Sequence, residues 1–339
     1  LFQNPFLWTV SPSVNMSHYH KPYNFEPVPT MPLPRKQLIN LDNTTYYHCI
    51  SRCVRRAYLC GKDSKSGKSY EHRKQWVENR SLTLSSIYAI DICAYAVMSN
   101  HTHLVLNANK AQAQSWSIEE VLHRWHRLHK GTFLTRQFVN KSKRKLLTQH
   151  QLATIMETVE IYRKRLYDIS WYMRHLNEYI ARRANKEDDC TGRFWEGRFK
   201  SQALLDEASL LACMAYVDLN PMRAGLADKP EDSLHTSIRR RILAAKVGKQ
   251  AKRLAPFVGS HSKNINQGIP FSLREYLLLV DYIGRKNRGS SPMNTPEYCE
   301  SILERTGLLQ VNWSELVYGI ENKFASNISL PIAIRRLAS

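Results

Sequence analysis

The stretch Tyr95-Ala96-Val97-Met98-Ser99-Asn100-His101-Thr102-His103-Leu104-Val105-Leu106 constrains this chain more than any other. Two apolar runs flank a polar centre, the pattern of two buried strands joined by a short connection. A tight turn around Ser99-Asn100 makes them an antiparallel pair. In a strand, residues i and i+2 point to the same face. His101 and His103 therefore present two imidazoles side by side, an arrangement suited to holding a divalent metal. The plain alternative is two half-exposed histidines at a strand start, and a bare His-x-His does not separate the two.

Around this stretch the pattern predicts a mixed chain. Tyr46-Tyr47-His48-Cys49-Ile50-Ser51 reads as a strand from its aromatic and β-branched content. Trp76, Leu82, Leu84 and Ile87 fit a helix from His72 to about Tyr88. Ser117 with Glu120 has capping-box spacing and opens another. A long helical stretch is expected from about Ala153 to Ala184, with Trp171, Tyr172, Leu176, Tyr179 and Ile180 on one apolar stripe. Leu205 to Ser209 starts a helix carrying Leu210, Leu211, Met214 and Val217, expected to end near Asn220-Pro221 because a residue before proline avoids helix. Tyr216 and Asn220 are then one turn apart on a shared face. Gly61 to Ser69 is not a P-loop, since five residues separate its glycines where the motif has four.

The domain reading follows composition. Residues 1–40 form an extended arm, with Pro22, Pro27, Pro29, Pro32 and Pro34 close together. The first 15 residues lack the basic start of a signal peptide, and Met16 is a candidate natural start. Residues 41–227 read as an α+β domain with a basic helical stretch at about 131–170. Residues 228–267 read as a basic linker and residues 268–339 as a small helical domain.

The formal charge of +20 and isoelectric point near 9.7 attract polyanions. Nucleic acid is the leading partner and an anionic membrane surface the second. No run of 18 apolar residues exists, so nothing spans a bilayer. Seven cysteines, odd in number and irregular in spacing, point to reduced thiols and a cytoplasmic protein. Arg52, Arg55 and Arg56 suit phosphate contact, or form a solvated basic turn. In Gly192 to Ser201, Arg193, Trp195, Arg198 and Lys200 alternate basic and aromatic character, which suits single-stranded nucleic acid or an amphipathic strand.

Four pieces occur in order: Tyr-x-His-x-x-Ser-Arg (Tyr46 to Arg52), Met-x-Asn-His-x-His-Leu (Met98 to Leu104), Trp-Glu-Gly-Arg-Phe-Lys-Ser (Trp195 to Ser201) and Tyr-x-x-x-Asn-Pro-x-Arg-Ala-Gly-Leu (Tyr216 to Leu226). Together they resemble the single-tyrosine transposases of the His-hydrophobic-His superfamily, nearest the REP-associated tyrosine transposases, over roughly residues 42–226. Thr102 departs from the pattern, since the residue between the histidines is usually hydrophobic.

The resemblance implies a ferredoxin-like α+β core with an antiparallel sheet, in which the stretch at about 131–170 is a helical insertion. It makes His101, His103 and Asn220 ligands of a divalent ion, Mg2+ or Mn2+, and Tyr216 the nucleophile. Arg223 joins the DNA-contacting set. The implied substrate is single-stranded DNA at REP-like hairpins, cut and rejoined through a 5′-phosphotyrosine. A replication or conjugation nicking enzyme, and a domesticated nucleic-acid-binding protein without activity, are the alternatives. Homodimer and monomer both stay open.

Overall fold

The computed structural model describes residues 38–54, 60–62, 67–259, 268–286, 297–308, 320 and 327–328. Arg55, Arg56, nearly all of the proline-rich arm and most of residues 309–339 lie outside them.

The described elements run β1 (Tyr46–Arg52), α1 (His72–Ser85), β2 (Ile90–Val97), β3 (His101–Ala108), α2 (Lys110–Ser115), α3 (Ile118–His126), α4 (Phe133–Val139), α5 (Lys141–Arg144), α6 (Gln149–Arg165), α7 (Ile169–Glu187), β4 (Lys200–Leu204), α8 (Glu207–Arg223), α9 (Ser237–Ala245), α10 (Leu273–Lys286), α11 (Glu297–Arg305) and β5 (Asn327–Ile328). The sheet order is β2-β3-β1-β4-β5. The first four strands pair antiparallel, and two-residue β5 adds a parallel edge. Helices fill the β1–β2 and β3–β4 connections, so the core has the β-α-β-β-α-β order of ferredoxin-like folds. The fold is α+β, as the sequence predicts.

Strand alternation divides the sheet into two faces. Tyr47, Cys49, Leu104 and Leu106 face a core shared with α1, α3, α6 and α7. Val105, Ala94, Ala96 and Leu204 face a second core built on α8, α10 and α11. Register shifts between Ile92 and Ala94, so β2 feeds both cores across an irregularity. Thr102 faces the first core and is 1% exposed. Among the described residues its Oγ1 has no hydrogen-bond partner.

Helix α8 runs through Pro221, contrary to the expected stop there. Its end is a Schellman motif: Leu226 N–H donates to the Pro221 carbonyl at 2.8 Å and Gly225 N–H to that of Met222 at 3.1 Å. Gly225 has φ of 66°, the left-handed conformation this cap needs. Glycine, not proline, is the stop signal.

The helix expected from Ala153 to Ala184 is two helices. Asp168 caps α7 through the Ser170 and Trp171 amides, while the Leu166 carbonyl leaves the ladder to accept from Ala89 at 2.8 Å. Tyr172 is buried as expected, whereas Tyr179 is exposed beneath Arg80. Ser117 does cap α3 through the Glu120 amide. The Glu120 carboxylate turns to Arg124 at 2.6 Å.

The expected basic linker is fastened to the core through its first half. Val97 N–H donates to the His235 carbonyl at 3.2 Å, and Tyr95 N–H to Ser237 Oγ at 2.7 Å. The Arg241 guanidinium is buried and donates to the carbonyls of Cys93 at 2.8 Å and Ala255 at 3.2 Å. Among the described residues no helix is long and apolar enough to cross a membrane.

Candidate active site

The site begins on β3. His101 opens the strand, half-buried, and His103 follows on the same face, fully buried. Their ring centroids are 4.7 Å apart and their planes 83° apart. The turn before them closes with Met98 N–H donating to the His101 carbonyl at 2.9 Å. Asn100 Oδ1 accepts from His101 Nδ1, which puts the lone pair of that imidazole on Nε2.

Helix α8 crosses the same face. Capped by Asp206 and buried along almost its whole length, it has little freedom to rotate. Tyr216 and Asn220 are one turn apart and both meet His103. The Tyr216 ring stands edge-on to the His103 ring at 5.5 Å and 84°. Asn220 Nδ2 lies 3.1 Å from His103 Nε2. Tyr216 is 1% exposed and Asn220 7%. Although it lies near a helix end, Tyr216 is thus enclosed. Arg223 lies over the outer side of its ring, 4.8 Å from the centroid.

Two further residues complete the cluster, and no role was assigned to either from sequence. His48 on β1 is buried, with Nε2 3.0 Å from His103 Nδ1. Its Nδ1 lies 2.8 Å from Gln202 Oε1 on β4. His48 belongs to the Tyr-x-His-x-x-Ser-Arg piece, so the signal was present. Its position behind His103 needed the strand register, in which Ile50 pairs with His103 and Lys200 with Ile50.

Electrostatics keep His103 neutral. Burial, followed by the His48 and His101 rings and the Arg223 and Arg52 guanidiniums, holds it well below the ordinary imidazole value. A neutral imidazole offers a lone pair, as a metal ligand must. Among the described residues no three His, Cys, Asp or Glu side chains gather as a metal cluster. A three-donor site here therefore needs the Asn220 amide. A half-turn of that amide would put Oδ1 in the place of Nδ2, beside His103. His101, His103 and Asn220 could then supply two imidazoles and one oxygen, a set less suited to Mg2+, which prefers an all-oxygen shell, than to Mn2+.

The basic residues fall into two groups. Arg52 pairs with His101 across β1 and β3, and its side chain shares the histidine face. Lys200 begins β4 on that face, exposed. With Arg223 these line the rim of the cluster. Arg193 and Arg198 are exposed on the loop before β4. Trp195 is half-buried there, its Nε1 donating to the Asn177 carbonyl at 2.9 Å. That loop reaches the site because Glu196 N–H donates to the Arg52 carbonyl at 2.9 Å.

No protein-family model matches the chain, and no curated protein matches it. Among solved structures, one of a REP-associated tyrosine transposase bound to a REP hairpin is similar at 11% identity and a TM-score of 0.34, over 59% of this chain and 81% of that one.

Proposed function

We propose that the chain is a metal-dependent single-stranded DNA endonuclease and strand transferase. It acts at REP-like hairpins through a 5′-phosphotyrosine formed on Tyr216. One observation carries the reading: His103 meets Asn220 at 3.1 Å and the Tyr216 ring at 5.5 Å, with His101 beside it at 4.7 Å. A phenol, two imidazoles and an amide from distant parts of the chain converge on one face of the sheet. A core does not need such a set, because burying His103, Tyr216 and Asn220 opposes folding unless each is satisfied.

His101, His103 and Asn220 would hold the divalent ion. When bound, it polarises the scissile phosphate and offsets charge on the departing oxygen. The Tyr216 oxygen attacks phosphorus, the bond to the 3′-oxygen breaks, and a free 3′-hydroxyl is released. The Arg223 guanidinium over the Tyr216 ring places a positive charge beside the attacking group. The new phosphodiester keeps the energy of the old one, so another 3′-hydroxyl can take the strand without a nucleotide cofactor. Arg52 and Lys200 at the rim suit phosphates beside the cut, and Trp195 with Arg193 and Arg198 suits unstacked bases.

The test is incubation of the full chain with hairpin oligonucleotides and Mn2+ or Mg2+, read on a denaturing gel. A covalent protein–DNA adduct that disappears in Tyr216→Phe supports the reading. Binding without adduct under either ion favours a non-catalytic DNA-binding protein.

A further inference from the structure

His48 lies between Gln202 and His103 in an unbroken chain of buried side chains. An amide oxygen only accepts, so Gln202 Oε1 takes a hydrogen from His48 Nδ1 at 2.8 Å. A neutral His48 then has its lone pair on Nε2. His103 Nδ1, 3.0 Å away, must donate to it. The lone pair of His103 is thereby placed on Nε2, the atom 3.1 Å from the Asn220 amide. Turning over the Gln202 amide would reverse every proton along this chain. His103 Nε2 would then carry hydrogen and could not bind a metal. With the first direction His103 Nε2 accepts from the Asn220 Nδ2 that faces it, so every contact along the chain is satisfied.

We infer that His48 is a positioning residue. It holds His103 in the tautomer protonated on Nδ1 and keeps the Nε2 lone pair aimed at the ion position beside Asn220. The inference rests on the reading of His103 as a metal ligand. Its physical basis is general: an imidazole ligand is oriented and fixed in one tautomer by what its other nitrogen contacts. Here that partner is a second histidine, itself oriented by an amide. The two rings lie 5.2 Å apart with planes within 16°, and their facing nitrogens are 3.0 Å apart.

The test begins with the full chain free of DNA and metal. Long-range proton–nitrogen correlation spectra of the imidazoles, taken above pH 7, should show His103 protonated on Nδ1. An Nε2-protonated His103 overturns the inference. The second arm titrates Mn2+ alone into wild type, His48→Phe and Gln202→Leu. Each variant removes one link while keeping apolar volume, and affinity should fall about 10- to 100-fold. Unchanged Mn2+ affinity in a folded Gln202→Leu or His48→Phe chain also overturns it. Should both variants fail to fold, the wild-type spectrum still decides. The adduct assay judges the cleavage reading separately, so an Nδ1-protonated His103 in a chain without adduct would leave the relay standing and the function refuted.

Discussion

Asn220 on α8 and His103 on β3 stand 117 positions apart in sequence, yet Nδ2 of one lies 3.1 Å from Nε2 of the other. This contact joins helix to sheet within the cluster where the Tyr216 ring also meets His103. Replacing Asn220 by Leu should keep the packing and remove one donor of three. The expected result is loss of metal-dependent cleavage with DNA affinity held within a few-fold. His101→Ala and His103→Ala should behave likewise. Full cleavage by the His101→Ala/His103→Ala double variant in the presence of chelator would remove the metal from the mechanism.

The nucleophile is tested by Tyr216→Phe. The ring fills the same space between His103 and Arg223, so core packing survives. Loss of the hydroxyl should change stability by no more than about 1 kcal/mol. Adduct and strand cleavage should vanish together while the unfolding midpoint moves by no more than a few degrees. Tyr172 is the control: its hydroxyl donates to the Ser81 carbonyl at 2.9 Å in the opposite core. Tyr172→Phe should still form adduct, and the reverse outcome would relocate the site to α7.

Much of this was legible in the chain because period and spacing set it locally. The His101–His103 pair needs only strand alternation, and Tyr216 with Asn220 needs only the helical repeat. What alternation could not reveal was which strands neighbour β3. That depends on the β2-β3-β1-β4-β5 order, which alone brings His48 and Gln202 behind His103. The α8 stop was misplaced because Pro221 is a conspicuous local signal, while Gly225 works through bonds that form only once the helix has ended. The basic stretch after Asp228 looked like a linker because its charges suggest solvent. Burial of Arg241 against two carbonyls is a tertiary event with no local signature.

That tertiary packing makes a prediction about the C-terminal region. Tyr276 on α10 donates to Asp218 Oδ2 on α8 at 2.6 Å. Phe271, Leu279, Val280 and Ile283 share the core of α8. Removing residues 268–339 would expose the back of the helix that carries Tyr216. The truncated chain should be aggregation-prone or much less stable than the full one. A soluble truncated chain with unchanged unfolding midpoint would show that these residues contribute nothing to the fold.

Salt dependence reports on the basic rim. Each phosphate neutralised on a single strand contributes about −0.7 to the slope of log affinity against log salt. Replacing Arg52 and Lys200 together by Gln should make that slope shallower by about 1.4 if each meets one phosphate. Equal slopes in titrations of a single-stranded oligonucleotide would remove both from the DNA path.

His175 makes stability depend on pH. It is 8% exposed, bonded through Nδ1 to the Tyr88 hydroxyl and through Nε2 to His129 Nε2 at 2.8 Å. Burial first, then His129, Arg80 and Arg174, lowers its pKa from 6.5 to about 4. The folded state holds His175 neutral where the unfolded chain would take up a proton. Its contribution is complete above pH 6.5 and is lost as pH falls from 6.5 toward 4. Between those values the limiting slope is about 1.4 kcal/mol per pH unit for one proton. Buried Asp218 works in the opposite direction: its pKa is raised from 3.8 to about 6, chiefly by burial, so its share declines as pH rises through that range. Net stability therefore does not isolate His175, and a difference measurement is needed. Denaturant unfolding of wild type and His175→Gln at pH 7, 6 and 5 should show the two curves converging as pH falls. Parallel curves would mean that His175 takes up its proton equally in both states.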